Sequence, residues 1–189
     1  IIIFVTTAVS SLIFQSTTFA LPKVFDERLG SIAGNATGVG WFAFIVFAIA
    51  SLAQLVVGRF LDTIGPRLVF LTTAALQVVF FSAMPGLEGW PALACALGFM
   101  LAAFGAIPIN DFMIGRMAQG EFRARVYGVR YVISFTVFAL ALPLISFVYA
   151  RGGFDLLFRM LSISAAVIFA ATFVLPKVLP VAQPAKAAA

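Results

Sequence analysis

The sequence predicts an all-α fold: a polytopic transmembrane helical bundle whose six spans form two inverted three-helix repeats. Hydrophobic residues make up 63% of the 189 residues and charged residues only 10%, and the mean hydropathy is +1.13. Soluble domains carry far more charge, so this composition indicates an integral membrane protein. The apolar residues are grouped in long runs, and the connections between the runs alternate in length in a repeated order. These observations together predict the fold class.

A helix of roughly 20 apolar residues crosses the ~30 Å hydrocarbon core of a bilayer. The predicted spans are residues 2–21, 38–57, 67–84, 91–114, 127–149 and 156–175. A long polar connection follows the first and fourth spans, and a short glycine-containing connection follows the second and fifth. Two successive groups of three helices enter a membrane in opposite orientations, which is the inverted-repeat arrangement of secondary transporters. We expect residues 1–177 to form the bundle and residues 178–189 to form a flexible cytoplasmic tail.

The connection between the second and third spans is a short charged turn. Gly58 and Gly65 allow two helix ends to approach closely, Pro66 can begin the next helix, and Asp62 is placed to cap that helix. Together with Arg67, the residues Gly58, Asp62 and Gly65 resemble the signature loop between the second and third helices of each half of a Major Facilitator Superfamily transporter.

The later part of the chain resembles the same family. Segments 105–111, 121–128 and 152–158 are similar to the run through its last three helices. Residues 142–145 (Leu-Pro-Leu-Ile) stand where an N-terminal half carries a glycine-rich antiporter signature, and the chain begins inside an apolar run at Ile1. The resemblance therefore implies the C-terminal six-helix half of a longer protein, whose N-terminal half is a further partner.

The resemblance also implies a function and a gate. Such a protein is a secondary transporter that moves a small molecule, either alone or together with a proton, by alternating access. Spans one, two, four and five line the central cavity in this fold, and spans three and six face lipid. In the outward-facing state of the family the loop carboxylate, here Asp62, contacts a helix start that carries Arg123 and Arg125 in this chain. The alternative is that Asp62 only caps a helix, without a gating role.

Positive charges predict the orientation of the chain, because basic residues are enriched in cytoplasmic loops. The side that holds the loops after spans two and four and the C-terminal tail carries Arg59, Arg67, Arg116, Arg123, Arg125, Lys177 and Lys186, whereas the opposite side carries Lys23, Arg28 and Arg151. Both ends of the chain are therefore expected in the cytoplasm, and the expected membrane is the bacterial cytoplasmic (inner) membrane. We interpret the net charge of +5 as membrane topology and not as nucleic-acid binding.

Polar side chains inside a bilayer are costly and usually face a cavity or another helix. In the first span, Gln15 is the best candidate for a hydrogen bond to substrate, because a glutamine has no easy partner on its own helix; the alternative is that it serves packing between helices. Thr18 is a second candidate for the substrate or ion pathway. The other interpretation of the hydroxyl groups in this span is that they bond to carbonyl groups of their own helix.

The fourth span holds the strongest polar pair, Asn110 and Asp111. Pro108 precedes them, removes a backbone hydrogen bond and is expected to kink the helix. Arg130 begins the next, antiparallel span at nearly the same depth, so we predict an ion pair between Asp111 and Arg130. Such a pair can act as a gate or a proton-coupled switch, since protonation of Asp111 would release Arg130. Alternatively, it is a static lock from which Arg130 reaches toward the headgroups.

Other function classes lack the residues that they need. The chain contains no histidine, which excludes a Ser/His hydrolase, a His-ligated metal or haem site and a histidine proton relay. Cys95 is the single cysteine, so no internal disulfide can form and no metal site is indicated. We expect neither an enzyme nor a cofactor. The alternative to a transporter is a non-transporting polytopic membrane protein, either a structural subunit or a channel-like protein.

Overall fold

The computed structural model describes residues 2–117 and 123–174, and within these ranges it contains helices and turns but no strand. The helices are α1 (Ile2–Arg28), the short α2 (Gly30–Ala33), α3 (Ala36–Thr63), α4 (Pro66–Ala83), α5 (Gly89–Met117) and α6 (Arg123–Val174). All except α2 are long and apolar enough to cross a membrane. The predicted all-α class is confirmed, whereas the predicted tail at residues 178–189 lies outside the described residues.

The predicted fifth and sixth spans belong to one interrupted helix, α6. A straight helix of its 52 residues would be roughly 78 Å long at ~1.5 Å per residue, far more than a bilayer core requires. The backbone leaves the helical conformation at Gly152 (φ −164°, ψ 21°) and Gly153 (φ 63°, ψ −163°). We call residues 123–151 the first arm of α6 and residues 154–174 the second arm. Each arm is long enough to be one span.

The first predicted connection is wrong at its start, because α1 does not end before Pro22. The helix includes this proline and continues to Arg28. A proline is tolerated inside a transmembrane helix when neighbouring groups satisfy the freed backbone. An ion pair between Lys23 and Asp26 at 2.7 Å joins successive turns of the extension and supports its helical conformation.

The charged turn differs from the prediction in its cap. Asp62 lies in the last turn of α3 and is exposed, so it does not cap α4. The N-cap residue of α4 is Gly65, which has a φ of 97° and no side-chain cap, and Pro66 follows at the first helical position. Because α3 continues to Thr63, only two residues remain for the turn, and a glycine with positive φ can complete so short a connection.

The bundle contains two pairs of parallel spans. The two pairs occupy equivalent positions when the first three spans are matched to the last three. The first pair is α1 and the first arm of α6, where Ser11 contacts Ser134 and Glu27 contacts Tyr149. The second pair is α3 and α5, where Phe42 contacts Trp90 and Val57 contacts Gly105. The first pair consists of spans one and five, and the second of spans two and four. Matching spans one to three with spans four to six converts one pair into the other, as expected of two inverted three-helix repeats.

The remaining contacts complete the bundle. Helix α4 and the second arm of α6 are antiparallel, since Ser82 contacts Ser162 and the start of α4 contacts the carbonyl group of Phe173. Their shared core with α5 is a cluster of three buried rings with centroids 5.2 to 6.3 Å apart: Phe81, Phe99 and Phe158. In cross-section the order is therefore α3, α5, α1 and the first arm of α6, with α4 and the second arm behind.

We expect Gly153→Ala to destabilise the fold by about 1–3 kcal/mol, because the φ and ψ of Gly153 lie in a region that other residues adopt only with strain. The free energy of unfolding in detergent, measured by denaturant titration, tests this. Gly128→Ala is the matched control, since Gly128 is helical and nothing lies within 4 Å of an added Cβ atom. Equal stability of the two variants would contradict the prediction.

Candidate functional site

A polar cleft of about 190 Å³ lies between α1, α5 and the first arm of α6. Its polar lining residues are Thr7, Ser10, Ser11 and Gln15 of α1, Asn110 of α5, and Arg130 and Ser134 of the first arm. Within residues 2–117 and 123–174, no carboxylate or thiol lines it. Among the described residues, no three Cys, Asp or Glu side chains are grouped so that they could hold a metal ion.

The α1 wall of the cleft is polar because four of its residues share one helix face. Thr7, Ser11 and Gln15 are spaced four residues apart, and Ser10 lies three residues after Thr7. Residues with these spacings are neighbours on one side of a helix. Thr7 is 2% exposed and Ser10 is 6% exposed, so this face is turned into the bundle and away from lipid.

The hydroxyl groups of the cleft differ in their hydrogen bonding. The hydroxyl oxygens of Ser11 and Ser134 lie 3.4 Å apart and join α1 to the first arm. The Ser10 hydroxyl is buried and has no hydrogen-bond partner among the described residues. A buried hydroxyl without a partner costs about 1–3 kcal/mol. Ser10 is therefore a lining residue whose hydroxyl group still lacks a partner.

Asn110 forms the α5 wall and is held in place by two hydrogen bonds. Its side-chain amide nitrogen donates to the carbonyl group of Ala106 at 2.8 Å, and its side-chain oxygen accepts from the hydroxyl group of Thr7 at 3.4 Å. Pro108 lies inside α5 between these positions. The amide therefore ties α5 to α1 beside the cleft and gives this wall a fixed shape.

The predicted ion pair between Asp111 and Arg130 is present. It is asymmetric, because the Arg130 side chain is 16% exposed and that of Asp111 is 49% exposed. Arg130 also lines the cleft, whereas Asp111 does not. The charge that the cleft contains is therefore the guanidinium group, and the carboxylate reaches this group from the more exposed side.

The structure brings together three of the predicted pathway residues, Gln15, Asn110 and Arg130. Asp111 joins them through Arg130, but Thr18 does not line the cleft. The hydroxyl group of Thr18 is buried without a partner among the described residues, whereas that of Thr17 donates to the carbonyl groups of its own helix.

The sequence prediction missed four polar lining residues: Thr7, Ser10, Ser11 and Ser134. For those on α1 the signal was their spacing of three and four residues along the helix that also carries Gln15. Ser134 lies four residues after Arg130 on the first arm, which is the same helical spacing.

The residues of the predicted gating loop occupy different environments. Gly58 lies within α3, and Asp62 and Gly65 lie in and after its last turn, respectively. Arg67 donates a hydrogen bond from Nη2 to the backbone carbonyl oxygen of Phe173 at 3.0 Å, which links α4 to the second arm of α6. A guanidinium group is favourable beside a carbonyl near a helix C-terminus. Arg125 is exposed near the start of the first arm.

The side chain of Arg123 lies outside the described residues. The contact between Asp62 and the helix start at Arg123 and Arg125 therefore stays a prediction.

A second ion pair, between Arg28 and Asp155, provides a comparison for the first. The Arg28 Nη2 atom lies 2.6 Å from the Asp155 Oδ1 atom, and the side chains are 16% and 42% exposed. The backbone N–H group of Gly86 donates to the same oxygen at 3.2 Å. This pair lies at the end of the bundle opposite to Asp111 and Arg130 and joins α1 to the second arm. It does not line the cleft.

Comparison with known families gives one finding for nearly the whole chain. The family model described as Major Facilitator Superfamily matches residues 3–189. Comparison with curated proteins finds no match.

Asp111→Asn and Arg130→Gln are expected to be non-additive in a double-mutant cycle of unfolding in detergent. We expect a coupling free energy of about 1 kcal/mol, a modest value because Asp111 is half exposed. Asp111→Asn combined with Arg28→Gln is the control, since these residues lie at opposite ends of the bundle and their effects are expected to add. Additive effects for the first combination would show that the ion pair contributes nothing to stability.

Proposed function

Because this chain belongs to the Major Facilitator Superfamily, whose members are membrane transporters, we propose that it forms one six-helix half of a secondary transporter. In this proposal the N-terminal six-helix half is its partner, and the two halves move a small molecule across the membrane by alternating access. The observation that carries the proposal is the polar cleft, which collects hydroxyl, amide and guanidinium groups inside an otherwise apolar bundle. Intramembrane polar groups of this kind mark substrate and ion pathways.

Large apolar side chains are exposed on α3 and the first arm of α6, and also on α4 and the second arm, so the position of a second half that completes the cavity follows from the inverted repeats and not from exposure alone. The two helices at the ends of the row that borders the cleft carry large exposed side chains. On α3, Phe44 is 61% exposed and Leu55 is 74% exposed; on the first arm of α6, Val132 is 67% exposed and Phe135 is 66% exposed. These two helices are equivalent in the inverted repeats. We infer that the N-terminal half packs against them, while α4 and the second arm face lipid.

The charged groups at the cleft suggest how access is controlled. We propose that Asp111 and Arg130 act as a switch beside the substrate, which proton binding to Asp111 would open. On the cytoplasmic side, the turn that carries Asp62 would contact the start of the first arm near Arg123 and Arg125 when the gate is closed. We propose that the turn between α3 and α4 lies on the cytoplasmic side of the bacterial inner membrane. Both ends of the chain then lie in the cytoplasm as well.

Alternating access predicts that one position in the cleft is reached by water from each side of the membrane in turn. In the full-length protein, with Cys95 and any further cysteine replaced by alanine, Ser134→Cys is expected to react with a membrane-impermeant thiol reagent. The reaction is expected in both right-side-out and inside-out vesicles. Labelling measured by mass shift on a gel tests this. Cys95 itself is buried in α5, so its replacement leaves the cleft unchanged.

Ile163→Cys is the control for this experiment. Its position on the second arm is 66% exposed and faces lipid in the proposal, so it is expected to resist the reagent from both sides. Labelling of Ser134→Cys from one side only would contradict alternating access. A panel of organic anions, sugars and hydrophobic cations, tested for flux into proteoliposomes, then identifies the transported class.

A further inference from the structure

We propose that the cleft binds a small organic anion, and that the carboxylate group of this substrate takes the place of Asp111 on Arg130. The inference rests on the proposed transport function and adds the chemical class of the substrate. It follows from the charge of the cleft, the geometry of the ion pair and the unpartnered hydroxyl group of Ser10.

The charge of the cleft favours an anion. Among the described residues, Arg130 is the single charged member of its lining, and the other polar lining groups are hydroxyl and amide groups, all of which can donate a hydrogen bond. A cation in this space would lie against a guanidinium group, and the described part of the lining holds no carboxylate to attract it. A carboxylate would meet a cation and several donors at once.

The geometry of the ion pair leaves Arg130 able to bind a second carboxylate. In the described contact one guanidinium nitrogen, Nη2, meets one carboxylate oxygen, Oδ1 of Asp111. A guanidinium group has five N–H donors, and it binds a carboxylate best through two parallel hydrogen bonds. Because Arg130 borders the cleft and Asp111 does not, a carboxylate that enters the cleft approaches the guanidinium group from a different direction than Asp111 does. The two carboxylates then compete for one cation.

Ser10 supplies the observation that is independent of charge. Ser10 belongs to the lining of the cleft, and its buried hydroxyl group has no partner among the described residues. The neighbouring Ser11 and Ser134 hydroxyl groups bond to each other and so remain adjustable donors. A bound carboxylate would accept a hydrogen bond from Ser10 and satisfy it. Ser16 and Thr18 also have buried hydroxyl groups without a partner among the described residues, but only Ser10 of these three lies in the lining of the cleft.

The lining also has an apolar side. The hydrocarbon part of a carboxylic acid would lie toward Phe14 and Ile107, which belong to the same lining.

Binding to the full-length protein in nanodiscs, measured by isothermal titration calorimetry, tests the inference. The probes are sodium acetate, propionate and lactate at constant ionic strength, with propionamide as the neutral analogue of propionate. We expect at least one carboxylate to bind, and we expect propionamide to bind at least about tenfold more weakly, because it cannot form a charge-assisted pair with Arg130. Equal binding of propionate and propionamide, or no binding of any carboxylate, would overturn the inference.

Four variants separate competition from a structural role. Asp111→Asn is expected to strengthen carboxylate binding by roughly fivefold, because it removes the competing group. Arg130→Gln is expected to abolish binding, and Ser10→Ala to weaken it about fivefold through the loss of one hydrogen bond. Arg28→Gln, from the ion pair of similar exposure at the other end, is expected to bind like the unchanged protein. Weaker binding in Asp111→Asn would contradict the competition even if Arg130→Gln fails to fold.

Failure of the anion site can be distinguished from failure of the transport proposal. Protection of Ser134→Cys by a bound carboxylate, in the labelling experiment above, is expected if the anion occupies the cleft. Labelling from both sides without carboxylate binding would leave alternating access intact and overturn the anion site. Carboxylate binding with the expected variant pattern, but labelling from one side only, would support the anion site and overturn alternating access.

Discussion

Polar groups are costly in hydrocarbon, and the rest of this structure depends on how that cost is met. The backbone meets it through helices that satisfy their own N–H and carbonyl groups. The side chains meet it by collecting on one face of α1 and on the facing parts of α5 and the first arm of α6. Charged side chains reduce this cost by forming ion pairs: Asp111 with Arg130 near the cleft, and Arg28 with Asp155 at the opposite end of the bundle. The cleft exists because these groups had to be placed together.

The sequence was sufficient for the fold class because apolar run length responds to one dominant physical constraint, the thickness of the bilayer. It was insufficient at helix ends, where local and tertiary effects compete. Pro22 signals an end, yet α1 continues to Arg28 because tertiary packing and an ion pair support the last turns. Asp62 is a good capping residue, yet α3 extends past it and leaves the cap to Gly65.

The site was predicted in part, for reasons that lie in the residues themselves. Asp111 and Arg130 were predicted as a pair because both are expensive to leave alone near lipid and because their depths match. Gln15 and Asn110 were recognised by their polarity. Ser10 and Ser11 were missed, since a small hydroxyl group can bond to its own helix and so carries a weak signal. Which face of α1 meets α5, and therefore that Thr18 faces elsewhere, depends on packing over the whole helix.

The interruption of α6 has a mechanical consequence. Only two residues separate its arms, so the connection has almost no slack, and a displacement at one arm must be passed to the other rather than absorbed by a loop. The second arm is in turn fixed to α1 through Arg28 and Asp155 and to α4 through Arg67. The second arm, which does not line the cleft, is thus held to its neighbours at both ends of the bundle.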